Sequence, residues 1–503
     1  MEDSKSINLL PRHLNFGRRR ILLDYDEVNQ SNVIDVLNKA LSIHATNRKD
    51  CDYLINYFLG DQDILYRNAP STSSINNKTV VNYAYPITRE IVGYTFGSPV
   101  EVIAKNANKQ NSVQKLNDAY DYEAVYVTDV CSAILSSICG LSYLITLPSS
   151  EISIDNTPDI PIVVDYLDPR ETFVVQSTSI GNPQIMSCTI IKKHNGKRVY
   201  ICYTNKLKMT IENNVVTTEP NPINMDPITM VENSVFLTGD WEQAIDVMNA
   251  SNLVASDSLN DIEGTIRSLL VISGAEFDDD EMDTTLQKIR DNRLLTLSSP
   301  SGTNVDAKFI SPQLDSTSVQ NIREYLDEAR NIITGIPDRE NNGNGGDTGT
   351  AVLNRNGWTD IEIVARLKEM FFKKAKKKQL AIGLNILKSL DILDDSLTTL
   401  DLDVSIGLHR SDNISARATT FATLVATGEL ATIDCLSLSG LTNRVSEMVE
   451  RGKQAKKEKQ EEAIRIAKQS ANASGEGNDK NGANKTAEIE KAVANKTTDN
   501  NKE

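Results

Sequence analysis

Apolar positions recur at three- and four-residue steps through most of this chain, and at alternate residues through one internal block. The stretch SVQNIREYLDEARNIITG sets Val319, Ile322, Leu326, Ala329 and Ile333 on one helical stripe. Gly335 and Pro337 end it, because glycine suits a left-handed cap and proline cannot continue a helix. Four glycines and three asparagines then crowd the segment from Asp338 to Thr350. Such a segment has little to bury and a high ordering cost, which predicts an exposed, mobile loop. From Trp358 the helical period resumes at Ile361, Val364, Leu367 and Phe371. It runs past a lysine block to Ile382, Ile386 and Leu390, a rod of roughly 50 Å if unbroken.

The same reading places the other elements. Residues 1–70 read as helical, with Val33, Val36, Leu37 and Leu41 on one stripe and an aromatic-rich stripe in CDYLINYFLG. Residues 71–80 read as a polar linker. A short helix at Ile87, Ile91 and Val92 follows, then a turn at Gly97 to Pro99, a strand at Val100 and Val102, and a helix over Glu123 to Ile138. From Gly140 to about Thr238 the runs LSYLITL, IPIVVDYL, TFVVQS, IMSCTIIKK, KRVYICYT and MTIEN predict short strands. Asn195-Gly196 predicts a two-residue hairpin turn. Asp240 is a candidate N-cap for a helix carrying Trp241, Ile245, Met248, Leu259, Ile262, Ile266 and Leu269. An acidic insert with a short helix and two strands comes next. After the long helix, LDLDVSIGLHR predicts one more strand, followed by a helical patch, a charged helix and a disordered Asn- and Lys-rich end.

Composition narrows the class. A chain of 503 residues with 39% hydrophobic and 24% charged residues fits a soluble protein of several domains. No run of eighteen apolar residues and no signal-peptide core occur, so the expectation is a cytosolic product that meets no membrane. In that compartment the sequons at Asn77, Asn413 and Asn484 carry no meaning, and the six cysteines read as small buried hydrophobes. Cys188, His194 and Cys202 lie near one another in sequence, but His194 sits at the hairpin turn and the cysteines several residues down the strands, which disfavours a metal. The Asp278–Asp283 cluster lacks the central glycine and closing glutamate of an EF-hand loop and reads as a solvated turn. The glycine-rich loop has no GxxxxGK[ST], no strand leading in, and no lysine placed to reach a phosphate. No triad, HExxH or GxSxG is present. Catalytic, cofactor and metal residues are therefore expected to be none, and the protein is read as a non-enzyme. A net charge of −16 argues against wrapping nucleic acid in basic surface, though not against a conduit through which DNA slides.

The order of elements resembles the portal proteins of tailed bacteriophages, of the type found in long-tailed phages of Gram-positive bacteria. Three pieces carry the resemblance: NNKTVVNYAYPITREIVGYTFGSPVEV, SLNDIEGTIRSLLVI, and EYLDEARNIITGIPDRENNGNGGDTGTAVLN leading into a long helix. It covers about residues 50 to 465. The charged tail departs from it in being rich in lysine, and the first fifty residues match nothing in it.

The resemblance implies an α+β portal fold, with a β-rich wing, helical stem, small α/β clip, long helix and helical crown, assembled as a ring. Residues 1–50 would be an N-terminal segment of unassigned role and 51–239 the wing. Residues 240–268 and 317–335 would be stem helices around a clip at 269–316. The tunnel loop would span 336–357, with Asp338, Arg339, Gly343, Gly345, Gly346 and Asp347. Residues 358–411 would form the long helix and the returning wing strand, 412–465 the crown, and 466–503 a disordered tail. The resemblance further implies a dodecameric channel at one capsid vertex for packaging and ejecting double-stranded DNA without sequence specificity. Its partners would be the terminase large subunit, the head–tail adaptor, and the major capsid and scaffolding proteins. Clip contacts would fall at Asp278, Asp279, Asp280 and Glu281. Assembly would occur in the host cytoplasm, and the mature place is the virion. Lys373, Lys374, Lys376, Lys377 and Lys378 are read either as DNA-facing or as a solvated helix face bonding a neighbour's acids. A scaffold or adaptor of another assembly is the alternative function, told apart by the absence of a ring with a pore. A nucleotide-dependent enzyme is a third, requiring nucleotide binding in the glycine-rich loop.

Overall fold

The β-rich block folds into two sheets rather than one continuous meander. In the computed structural model, residues 16–69, 75–149, 161–194, 196–266, 269–273, 306–310, 316–337, 358–393, 396–407, 414–439, 441 and 445–473 are described. The architecture is α+β. A six-stranded sheet has the order β1 (Ile21–Leu23), β5 (Thr172–Ser177), β6 (Gln184–Lys192), β7 (Arg198–Tyr203), β8 (Leu207–Glu212), β9 (Val215–Pro220). A three-stranded sheet has β10 (Ile228–Glu232) and β4 (Ile162–Leu167) flanking β3 (Leu141–Pro148). The sheets meet through Val174, Tyr203, Tyr143 and Ile228.

Residues 16–50 belong to this body. β1 pairs parallel with β5, closing one edge of the large sheet. Helix α1 (Val33–Phe58) lays Val33, Val36, Leu37 and Ala40 on that sheet, against Phe173, Met186 and Met209. Burying each such side chain contributes about 1.5–3 kcal/mol. The α1 helix is continuous through both stripes read in the sequence.

Helix α4 (Val125–Cys139) packs on the small sheet, and α2 (Ala84–Phe96) and α3 (Gln110–Tyr122) pack against α4. Among them α3 was not foreseen. The small faces of Ser132, Ala133 and Ser136 let α4 sit close to β3, where Ser132 Oγ and Ser142 Oγ share a hydrogen bond of 2.7 Å. Helix α5 (Ile245–Ile266) pairs with α6 (Ser316–Thr334). Between them β11 (Leu269–Ser273) pairs antiparallel with β12 (Asp306–Ile310). Leu269 thus opens a strand and does not extend the helix. The long helix α7 (Trp358–Ser389) is unbroken, and β13 (Leu402–Ser405) returns to pair with β2 (Glu101–Ala104). Three helices close the described chain: α8 (Ile414–Ala426), α9 (Thr432–Ser439) and α10 (Val445–Ala473). The last continues through residues 466–473, beyond the expected start of a disordered tail.

One turn differs from expectation, and a second hairpin was not foreseen. The β6–β7 connection is longer than a two-residue turn: Lys193 N donates to Lys197 O, Gly196 N donates to Lys193 O, and Gly196 has φ +76. That is the three-residue hairpin in which glycine takes the left-handed position. The β8–β9 hairpin turns on Asn213 and Asn214, at φ +50 and +64. Cys188 and Cys202 face each other across β6 and β7, both buried, and burial pushes the Cys188 thiol well up. Among the described residues no histidine, cysteine and carboxylate cluster could hold a metal ion.

Candidate subunit interface and lysine helix

Three backbone strands cross at the foot of α5, and glycine is what lets them approach. A Cβ on Gly140 would lie 1.9 Å from Leu237 O, one on Gly17 2.1 Å from Phe236 O, and one on Gly239 2.4 Å from Ile138 O. Leu237 itself is buried at φ +55, a conformation that only a tightly determined surrounding sustains. Around this crossing lies a buried polar network. Glu242 accepts from Gly17 N, Gly239 N and the Arg18 guanidinium. Asp240 accepts from Ser137 Oγ at 2.5 Å, Asn233 Nδ2 at 2.7 Å and Lys368 Nζ at 2.6 Å. Asp240 is therefore not the cap read from the sequence. It ties the start of α5 to the side of α7. Burial pulls the Lys368 ammonium below its usual range, with Asp240 opposing. Trp241 beside it is fully buried, its indole N–H donating to Thr88 Oγ1 at 3.0 Å.

The second half of the supposed linker is also structured. Backbone N–H groups of Val81, Thr79 and Asn77 donate to Asn252 Oδ1, Ser256 Oγ and Asn260 Oδ1 at 2.7, 2.9 and 2.7 Å. Alternate residues of an extended chain advance about 6.7 Å, and four residues of a helix about 6.0 Å, so the two repeats stay in step over this length. Arg67 pairs with Asp257, and the Arg330 guanidinium lies 3.7 Å from the centre of the Tyr83 ring. One side of the α5–α6 pair is thereby fixed to the body of the subunit.

Among the described residues nothing covers its other side. Ile262 on α5 is 54% exposed, Tyr325 and Ile332 on α6 69% and 72%, and Leu367 and Met370 on α7 54% and 65%. Val235 and Phe236, held by the Leu237 turn, are exposed as well. Apolar faces of this extent on several neighbouring helices mark a contact surface.

The lysine block divides by face. Lys376 is sealed inside the subunit: its Nζ donates to both oxygens of Asp129 on α4, at 2.8 and 2.7 Å. Burial raises the Asp129 carboxyl and the neighbouring ammonium lowers it. Lys376 therefore cannot face DNA, a correction that follows from the inward turn of its helix position. Lys373 pairs with Glu369 at 2.8 Å, Lys374 with Glu232 at 3.2 Å, and Lys377 lies 3.7 Å from Asp403. Lys378 donates to Gln184 Oε1. An open cavity of about 210 Å³ lies between Lys374, Lys378, Phe371 and Ala375 of α7, the β5–β6 turn and Met230. Asp338, Arg339, Gly343, Gly345, Gly346 and Asp347 of the loop fall outside the described residues, as do Asp278, Asp279, Asp280 and Glu281. The sequence reading missed Asp129 and Glu242 and took Asp240 for a cap alone. A lone acid amid apolar and small residues in VYVTDVCSAI was the only available signal for the first.

The profile of the family described as "Phage portal protein, SPP1 Gp6-like" matches residues 37–463. No curated protein matches the chain. Among solved structures it is similar to a chain from the virion of a native gene transfer agent particle, at 13% identity and a TM-score of 0.41. That likeness covers 78% of this chain and 94% of the other. With the family profile spanning nearly the whole described body, from α1 to α10, this chain belongs to the SPP1 Gp6-like phage portal protein family.

Proposed function

We propose that this chain is the subunit of a closed ring at one capsid vertex, through which double-stranded DNA is packaged and later ejected. The role is structural and not catalytic, and the ring is carried in the virion. The observation that carries the reading is the bare apolar faces of α5, α6 and α7 within a chain of this family. Identical copies cover such faces by repeated heterologous contacts, which close into a ring. In this reading α5 and α6 are the stem and the β11–β12 pair is the base of the clip. The two sheets with β2 and β13 are the wing, and α8 to α10 the crown. The segment between α6 and α7 is the tunnel loop. The clip is where a terminase motor and then a head–tail adaptor would dock, and capsid and scaffolding proteins would meet the outer wall.

An overall charge of −16 suits a channel that must let phosphate pass, since every neutralised phosphate adds affinity and friction. The test is imaging and native mass measurement of the purified chain. A closed dodecamer with a central pore is expected. Monomers or two-fold dimers across a wide concentration range would overturn the reading. In heads assembled with the ring, deleting residues 276–298 should abolish packaging while rings persist. Replacing Gly345 and Gly346 by valine should slow packaging with assembly intact.

A further inference from the structure

Two glutamates on α6 and two lysines on α7 share one spacing, and the apolar residues beyond them continue it. Glu324, Glu328 and Ile332 stand at four-residue steps along α6; Lys378, Lys374 and Met370 stand at the same steps along α7, taken in reverse. All six are exposed. We propose that α6 of one copy lies antiparallel on α7 of the next, setting Glu324 on Lys378, Glu328 on Lys374, and Ile332 on Met370.

The charges within one copy leave room for this. Lys374 shares Glu232 with Arg20, and Lys378 donates to the neutral amide oxygen of Gln184, with the buried Asp226 as the acid nearest it in its own copy. Like charges four residues apart on a helix repel, and an incoming acid relieves that repulsion. Glu328 has no hydrogen bond or ion pair among the described residues, and Glu324 accepts from Gln320 of its own helix. The cavity between Lys374 and Lys378, floored by Phe371, Ala375 and Met230, can take the methylenes of a glutamate whose carboxylate reaches the ammonium groups. A parallel pairing matches the charges equally but sets exposed Ile332 opposite Ile382, which is buried in its own subunit. The antiparallel register is the one that covers both apolar ends.

The inference rests on the ring reading, and its test separates the two. Association of the full chain is measured by native mass spectrometry for wild type, E324K/E328K, K374E/K378E and the combined fourfold exchange. Thermal melting checks that each is folded. Each double exchange should weaken subunit association about tenfold or more, and the fourfold exchange should restore it to within about threefold. A fourfold exchange as weak as either half, or a half exchange that assembles like wild type, overturns the pairing. Wild-type association should also fall as salt rises toward about 0.5 M, and its indifference to salt would overturn the pairing without any variant. A wild type that never associates overturns the ring reading itself.

Discussion

The two halves of α7 carry the same helical period and have opposite surroundings. Ala375, Leu380, Ile382, Ile386 and Leu387 of the second half are buried among α3, β3, β4 and β13. Ile363, Leu367 and Met370 of the first half face outward. Apolar residues recur on nearly every face of the second half, which is the mark of a helix enclosed by its own chain. The first half buries Ile361 and Ala365, with Val364 half-buried, on one side and presents a second apolar stripe that none of the described residues covers. A subunit that completes one half of a helix and leaves the other bare is built to be completed by something else.

The enclosed half should break first when its charge pair is halved. Removing one partner of a buried pair strands the other, so Lys376→Met is expected to cost about 3–5 kcal/mol in urea unfolding. Replacing both groups, as D129L/K376M, should recover most of that loss. A single variant as stable as wild type would mean that Asp129 takes up a proton at little cost.

The next effect tests the backbone crossing that Asp240 ties to the first half of α7 through Lys368. Gly140→Ala forces a side chain at φ +82 against Leu237 O and should destabilise by about 2 kcal/mol or more. Gly264→Ala on α5 meets nothing within 4 Å and should stabilise by up to about 1 kcal/mol. Opposite signs for one chemical change would separate the crossing from the open face of α5. Equal signs would mean that the crossing relaxes freely.

For the bare half, L367S/M370S should leave the unfolding midpoint of the isolated subunit within about 0.5 kcal/mol of wild type, as expected of exposed positions. Ring formation by the same variant should fail. Loss of subunit stability, seen by denaturant titration at a concentration where only monomer exists, would show that these residues are covered within one chain.

Most helices and strands were legible because their signals are local. The α6 and α7 stripes, the end of α6 at Gly335, and β3 to β8 follow from period and turn residues. Apart from α3, what escaped was non-local. β1 is three residues long and exists because β5 offers it an edge. Residues 77–81 look like a linker until α5 supplies acceptors at matching steps. The inward face of Lys376 depends on Asp129, 247 positions away in sequence. The Lys-rich run gives charge density, and only the fold decides which lysine is internal.

The smallest expected effect lies away from α7, in the contact between α1 and the large sheet. His44 is buried, its Nε2 lies 3.1 Å from Arg170 O, and its ring centre is 4.7 Å from that of Phe173. A carbonyl oxygen can only accept, so Nε2 carries a proton. Burial pulls the His44 pKa below its ordinary value, and the nearby Arg48 adds to this while the Arg170 carbonyl and Glu171 oppose it. Between the folded and unfolded values, the unfolded chain therefore binds a proton that the native state refuses. The His44 contribution is full above the unfolded value of about 6.5 and is lost as pH falls through the lower folded value. We expect urea stability to decline from about pH 7.5 to about pH 5.5, and His44→Gln, whose amide can still donate to Arg170 O, to flatten that slope. An unchanged slope in the variant would assign the pH dependence to other groups, and a slope of opposite sign would mean that His44 is charged in the folded chain.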